Sequence, residues 1–222
     1  MAFNVVTINL NNAGGLRLTL HSLRVLFEAE NHFHVVFVDG RSSDGSLELL
    51  ADFCSIYPGA ASLVVGDDSS IYDAMNIGLN NCKPGFVTFL NSGDQLWISG
   101  PLSRITRSCR FASYRSSDAA RRPYFYSFIG MPSSHQSIVF PVTEARYDLS
   151  FPIASDYHYF LTYLFQGVSF PYVADVFSLV ESGGVSEKMY VARRLESSRI
   201  RSLFFGSIMS RLVDLLIACR SS

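Results

Sequence analysis

The chain has 222 residues, of which 48% are hydrophobic and 17% charged, with a formal net charge of -1. That length supports the core of one full α/β domain with a short appendage and is too short for two ordinary domains. The composition excludes a disordered chain, and the charge balance excludes non-specific nucleic-acid binding, which needs surplus Lys and Arg to neutralise phosphates.

Val5 to Leu10 reads as a buried strand, and Asn11-Asn12-Ala13-Gly14-Gly15 as turn chemistry before a helix carrying Leu16, Leu20, Leu23 and Phe27. Because this first apolar run begins at once, with no basic region before it, a strand and not a signal peptide is expected, and with it a cytoplasmic protein. His34 to Val38 forms a second strand ending at Asp39-Gly40, with Ser43 or Asp44 capping a helix that bears Leu47, Leu49, Leu50 and Phe53. Ala61 to Val65 fits a third strand, Tyr72 to Asn80 a short helix, and Phe86 to Leu90 a buried strand running into Asn91-Ser92-Gly93-Asp94. This alternation predicts an α/β fold with a mostly parallel central sheet, helices on both faces and right-handed crossovers. Ligands are then expected beyond the carboxyl ends of the strands, where Asp39 and Asp94 lie.

Ser99 to Gly130 has little periodicity and carries Arg104, Arg107, Arg110, Arg115, Arg121 and Arg122, read either as an anion-binding stretch or as a solvated loop. Ser137 to Phe140 and Val173 to Val180 read as strands flanking a helix from Asp156 to Phe165. From Leu195 to Cys219, Ile200, Leu203, Phe204, Ile208, Leu212, Leu215 and Leu216 recur at helical spacing among arginines. The expected organisation is a domain of residues 1–190 followed by a basic amphipathic helical tail, 191–222. Ser207, Ser210, Arg211 and Asp214 interrupt that tail, so it lacks the roughly 20 apolar residues of a membrane span. Its apolar face is expected to meet an anionic membrane surface, its own domain or a second subunit in a homodimer. Cys54, Cys82, Cys109 and Cys219 lack the close pairs of a zinc site and read as reduced thiols.

A carboxylate at a strand end beside a glycine can hold a hard divalent cation against a diphosphate, which makes Asp94 a metal candidate; the ordinary alternative is a tight Ser-Gly-Asp turn. Asp39 can accept a hydrogen bond from a base or ribose, or belong to a turn. Asp73 and Asn76, one helical turn apart, can line the same pocket, though an Asp near a helix start is also favoured by the macrodipole. Asp156 can serve as a general base if burial raises its pKa, or cap the helix it opens. His135 and Gln136, ahead of a strand, can contact acceptor or phosphate, though a lone His is more often a packed or surface residue. The hydrolase elbow Gly-x-Ser-x-Gly, the dinucleotide fingerprint and the P-loop are all absent from the sequence.

Together these segments resemble the bacterial family 2 glycosyltransferases of GT-A fold, in particular the short enzymes of colanic-acid, O-antigen and capsule gene clusters, over residues 4 to 185. Val38-Asp39-Gly40-Arg41-Ser42-Ser43-Asp44-Gly45-Ser46 resembles the family's Asp-Gly-x-Ser-x-Asp-Gly-Thr block. Ile71-Tyr72-Asp73-Ala74-Met75-Asn76-Ile77-Gly78 is similar to the subgroup's Ile-Tyr-Asp-Ala-Met-Asn-Lys-Gly. Phe89-Leu90-Asn91-Ser92-Gly93-Asp94 resembles its form of the Asp-x-Asp motif, with Asn in the leading position. Pro132-Ser133-Ser134-His135-Gln136 resembles a Pro-x-x-His-Gln block, Ala154-Ser155-Asp156-Tyr157 resembles Ala-Ala-Asp-Tyr, and Gly183-Gly184-Val185-Ser186 has a counterpart in a loop that closes over donor. Leu10 and Ser70 depart from the pattern, standing where an aromatic residue and a glycine are usual.

The resemblance implies an inverting, metal-dependent transferase using Mn2+ or Mg2+ and a UDP-, GDP- or dTDP-linked sugar, with a lipid-linked or oligosaccharide acceptor at the inner face of the bacterial cytoplasmic membrane. It implies Asp94 on the metal, Asn9, Asp39, Asp73, Asn76, Asn91 and Ser92 on the nucleotide sugar, His135 and Gln136 near the acceptor, and Asp156 as catalytic base. The rival reading is a catalytically silent nucleotide-sugar-binding subunit of a polysaccharide assembly complex, which binds without turnover.

Overall fold

The computed structural model describes residues 1–29, 32–98, 102, 105–106, 108–115, 118–119, 124–180 and 189–219. Strand β1 (Ala2–Asn9) lies near the middle of the sheet, paired in parallel with β2 (His34–Asp39) on one side and β4 (Gly85–Phe89) on the other, while β3 (Ala61–Val65) extends the parallel flank beyond β2. Helices α1 (Ala13–Glu28), α2 (Ser46–Ile56) and α3 (Ile71–Asn80) make the crossovers. The opposite flank is mixed: β8 (Ile138–Pro141) pairs antiparallel with β4, β6 (Cys109–Arg115) antiparallel with β8 and with the short β7 (Asp118–Ala119). β9 (Tyr172–Leu179) runs parallel to β6, and β5 (Gln95–Leu96) closes that edge. The strand order is β3-β2-β1-β4-β8-β6-β9-β5.

Both faces of the central strands are covered, so β1 and β2 are buried along nearly their whole length and are mostly apolar. Successive side chains alternate between the two layers. Phe3, Val5, Val35 and Phe37 pack under α1 and α2 with Leu16, Leu20, Leu23, Leu50 and Phe53. Val6, Ile8, Val36, Val38, Val87 and Phe89 face the other layer, formed by α3, by α4 (Ser155–Phe165) and by Ile200 of α5 (Tyr190–Phe205). Each large side chain fully buried this way contributes about 1.5–3 kcal/mol.

Three local features differ from the sequence-based expectation. The residue preceding α2 is Gly45, left-handed at φ 90°, and Asp44 does not cap that helix alone. One Asp44 oxygen accepts from Ser46 while the other accepts from the Ala13 amide at 2.7 Å, so a single carboxylate serves the starts of both α1 and α2. The tail is not one helix: Gly206, at φ 82°, breaks it into α5 and α6 (Ser207–Cys219), and α5 sinks Ile200 into the core. Arg110 is neither solvated nor offered to an anion, because its side chain is buried, donates from Nε to the Phe170 carbonyl and lies over the Tyr172 ring. Arg104, Arg107, Arg121 and Arg122 and the side chain of Arg115 lie outside the described residues.

Glycine matters structurally where α3 crosses β1. A Cβ on Gly78 would lie 2.3 Å from Val6 Cγ1, whereas one on Gly14 would have nothing within 4 Å. Gly78→Ala is therefore expected to lower stability by about 1–3 kcal/mol, since helix or strand must give way. Gly14→Ala should match or exceed the parent, because Ala is the better helix former by about 1 kcal/mol. Urea unfolding midpoints of the two variants check this.

Candidate functional site

The site lies beyond the carboxyl ends of the parallel strands, and its first part is built from the last residues of β1 and β2. Asp39 has no solvent contact, so its carboxylate must be satisfied from within. Oδ1 accepts from the Ser42 amide at 2.7 Å, and Oδ2 accepts from Asn9 Nδ2 at 2.7 Å and from Ser42 Oγ at 2.9 Å. Ser42 Oγ also accepts from the Asn11 amide at 2.8 Å. Closing the loops this tightly puts two non-glycine residues, Asn11 (φ 48°) and Arg41 (φ 61°), in the left-handed region, a strain that recurs at functional loops. The Asn9 Oδ1 atom is buried with no hydrogen-bond partner.

The second part is the turn that follows β4. Thr19 of α1 holds its backbone: Oγ1 donates to the Asp94 carbonyl at 2.7 Å and accepts from the Gly93 amide at 3.0 Å. Asn12, at the start of α1, donates to the Ser92 carbonyl at 3.0 Å. Gly93 adopts φ 106°, and the Asp94 amide donates to the Asn91 carbonyl, so the turn is tight and anchored at both ends. Gln136 Nε2 donates to Asp94 Oδ2 at 2.9 Å. Asn91 Oδ1 is buried and carries no partner. Among the described residues no three His, Cys, Asp or Glu side chains cluster to hold a metal. A cation here would have the Asp94 carboxylate and the unpartnered Asn91 oxygen as protein donors in this turn and would need ligand oxygens for the remainder, a set suited to a hard ion carried on a diphosphate.

The third part comes from later in the chain. His135 is buried, stacks on Phe89 at 4.8 Å between ring centroids, and shares a 2.7 Å hydrogen bond through Nε2 with the Tyr147 hydroxyl. Burial pushes its pKa down to about 3, so the ring is neutral at ordinary pH. Tyr147 in turn stacks on Tyr72, centroids 5.4 Å apart. The Tyr72 hydroxyl donates to the Ile153 carbonyl at 2.9 Å and lies 3.4 Å from Asp156 Oδ1. Burial pushes Asp156 up to about 6, against the pull of the Tyr157 amide, the Tyr72 hydroxyl and the Arg193 charge. A contact path thus runs from Asp94 through Gln136 and His135, Tyr147 and Tyr72 to Asp156.

The structure brings together Asn9 with Asp39, and Asp94 with Gln136, and links them through the turn after β4 to the later part. Asp73 and Asn76 do different things there: the Asp73 carboxylate accepts from the Ser69 amide and hydroxyl, whereas Asn76 clamps the Tyr147 backbone through both ends of its amide. Gly183 to Ser186 lies outside the described residues. Sequence reasoning missed Asp68, whose pKa is raised by burial and then by Asp73, Asp39 and Asp67, and which sits where a Cβ on Gly40 would come within 2.9 Å. Its place just after β3, at the same sheet edge as Asp39, was the available signal.

Residues 4–99 match Glycosyl transferase family 2. The matched segment therefore runs from β1 through the residues just past β5, covering the first two parts of the site apart from Gln136 and, of the third part, Tyr72. Within it the chain is 34% identical over 98 residues to an uncharacterized glycosyltransferase of Mycobacterium tuberculosis, 44% of this chain and 35% of that protein. Over most of its length the structure superposes on Staphylococcus aureus TarS 1-349 with a TM-score of 0.64 at 14% identity, covering 95% of this chain and 72% of that one. It also superposes on the mannosyltransferase PcManGT of Pyrobaculum calidifontis, in complex with GDP-Man and Mn2+, at 0.61 and 15% identity, covering 89% and 61%. The longer TarS structure is covered to 43%. The α/β fold is the GT-A fold, as the resemblance implied.

The buried neutral His135 makes a stability prediction. Between its ordinary value of 6.5 and about 3 the unfolded chain takes up a proton that the folded ring refuses, so this group's contribution is lost as pH falls through that window. His135→Asn should show a shallower loss of stability between pH 6.5 and 4 in urea titrations, and the His135 ring resonances of the parent should not titrate from pH 8 to 5.

Proposed function

We propose that this chain is an inverting glycosyltransferase that moves a sugar from a nucleotide-sugar donor to a lipid-linked saccharide acceptor in bacterial surface polysaccharide synthesis. The single observation that carries this reading is the contact path that ties a carboxylate in the anchored turn after β4, Asp94, to a half-buried carboxylate whose pKa is about 6, Asp156. Burial gives Asp156 the basicity a general base needs near neutral pH without keeping it protonated there.

In this reading Asn9, Asp39, Asn91 and Ser92 meet the donor's nucleotide, with Asp73 and Asn76 completing the wall from α3. The unpartnered oxygens of Asn9 and Asn91 are where donor hydrogen bonds would be gained. Asp94 would hold a Mn2+ or Mg2+ ion, with Asn91 beside it, and the ion when bound would supply positive charge against the leaving diphosphate. Gln136, fixed on Asp94, orients that carboxylate, and His135 supports the acceptor side from within the core. Asp156 removes the proton of the acceptor hydroxyl as its oxygen forms the bond to the anomeric carbon, and the bond from that carbon to the nucleoside diphosphate breaks on the opposite face. Residues 1–190 form the transferase unit and 191–222 its helical appendage.

The expected result is transfer, or slow hydrolysis, of one UDP-, GDP- or dTDP-sugar with Mn2+ or Mg2+ present. Asp94→Ala should abolish it. Asp156→Asn should reduce kcat by about 10²–10⁴-fold while leaving nucleotide affinity intact, and the parental rate should rise with pH through about 6 as Asp156 ionises. Because the raised pKa means the charged form is disfavoured by folding, Asp156→Asn should also be more stable than the parent at pH 8. Binding of donors without cleavage or transfer, with lipid-linked acceptors supplied, would instead identify a silent binding subunit.

Among the described residues no helix is long and apolar enough to cross a membrane. The outer face of α6 nevertheless exposes Ile208, Met209, Leu212, Leu215 and Leu216, with Arg211 exposed on the same helix, and on α5 Leu203 and Arg199 are exposed too, Arg199 over the Phe151 ring. An apolar face rimmed by cations is suited to the cytoplasmic leaflet, where lipid-linked acceptors are held. Leu212→Glu with Leu216→Glu should weaken flotation with phosphatidylserine vesicles by at least about tenfold and leave turnover of a soluble acceptor unchanged. A dimer that the same pair dissociates would assign the face to a second copy.

A further inference from the structure

The start of α4 has no capping side chain of its own. Its N-cap, Ala154, offers none, yet the amides of Ile153 and Ala154 are buried and need acceptors. They find one across the fold: Glu196 of α5, itself buried, accepts from Ile153 N at 2.9 Å and from Ala154 N at 2.8 Å through the same oxygen, Oε2. Hydrogen bonds to a carboxylate in a dry setting are among the stronger kinds, and a negative charge at a helix start is favoured by the dipole. The same peptide is held from the opposite side by α3, since the Ile153 carbonyl accepts from the Tyr72 hydroxyl.

Two residues beyond Ala154 is Asp156, whose Oδ1 accepts from the Tyr157 amide at 2.8 Å, so the orientation of its carboxylate follows from where this first turn sits. Glu196 is in turn held firmly in place. One turn on, Ile200 is fully buried, and Arg201 donates to the Ile129 carbonyl and pairs with Asp214 of α6. One turn before it, Arg193 brings positive charge to bear on Asp156.

We propose that Glu196, on a helix outside the segment matched to the family, is a positioning residue that fixes the first turn of α4 and so aims the Asp156 carboxylate. The inference rests on the general-base reading of Asp156. Its consequence is that the C-terminal helices are part of the catalytic apparatus, and that whatever displaces α5 alters the base.

The test compares Glu196→Gln with Glu196→Asp in the full chain. Glutamine keeps the length and one carbonyl acceptor without the charge; aspartate keeps the charge but is one methylene too short to reach both amides. Donor turnover is measured together with nucleotide affinity, and the carboxyl titration of Asp156 is followed by NMR with 13C-labelled aspartate, assigned by its loss in Asp156→Asn. The groups that face this carboxyl are Tyr72 of α3, Arg193 of α5 and Tyr147, all unchanged in both variants. Glu196→Gln should retain kcat to within about twofold. Glu196→Asp, folded by circular dichroism, should lose about tenfold or more in kcat with KM for donor and nucleotide affinity held, and its Asp156 titration should move from the parental midpoint. A folded Glu196→Asp with parental kcat and midpoint, or a Glu196→Gln as impaired as Glu196→Asp, would overturn the proposal. If the parent binds donors and turns none over, the transferase reading fails, and the Asp156 titration alone still decides whether Glu196 sets that side chain's environment.

Discussion

A carboxylate sealed from water must receive its hydrogen bonds from the protein or lose its charge, and Asp39 receives four-way closure from Asn9, Ser42 and, through Ser42, Asn11. That requirement fixes the two loops leaving β1 and β2 relative to each other. Once they are fixed, α1 can begin only where Asp44 and Asn12 hold it, and Thr19, nearly two turns along, meets the turn after β4. The position of Asp94 is thus set by a chain of polar contacts that begins with the dry Asp39 carboxylate. Apolar packing supplies most of the stability of the sheet, but it does not dictate loop geometry, because burial is non-directional. Hydrogen bonds do.

The later part of the site obeys a different rule. His135, Tyr147, Tyr72 and Tyr159 form an aromatic layer, with Tyr147 on Tyr159 at 4.2 Å, and the Tyr72 hydroxyl of this layer meets the half-buried Asp156 carboxylate. The low dielectric that holds His135 neutral is the same one that raises Asp156. Burying such a carboxyl costs stability above its pKa, a cost typical of sites where a group is held ready for proton transfer.

The strand and helix pattern of the first hundred residues was legible because each element alternates or repeats cleanly and ends at a turn residue. Asp39, Asp94 and Asp156 were legible as carboxylates at element ends. What was not legible follows from contacts between distant positions. Arg110 sits in a stretch whose arginines look solvated, and only the Phe170 carbonyl and the Tyr172 ring, some sixty positions away, show that it is structural. The helical period of the tail continues through Gly206, so the break there does not show in the spacing of apolar residues; it depends on a positive φ. Glu196 reads as one more charge on an amphipathic helix until the bare amides of Ile153 and Ala154 are placed opposite it. The motif marks Asn76 as a pocket residue, but only the distant Tyr147 backbone shows that both ends of its amide hold the later stretch in place.

The family-matched segment stops at residue 99, and apart from Tyr72 the far side of the site is contributed by residues after it. Among the described residues, the polar links that join the two stretches at the site include Gln136 to Asp94, Tyr147 to Asn76, and the Tyr72 hydroxyl to the Ile153 carbonyl and to Asp156. Those contacts, together with the pairing of β4 with β8, hold the later stretch against the first. A shift of one stretch along that seam would therefore change the distance between Asp94 and Asp156, so the seam acts as the ruler of the site.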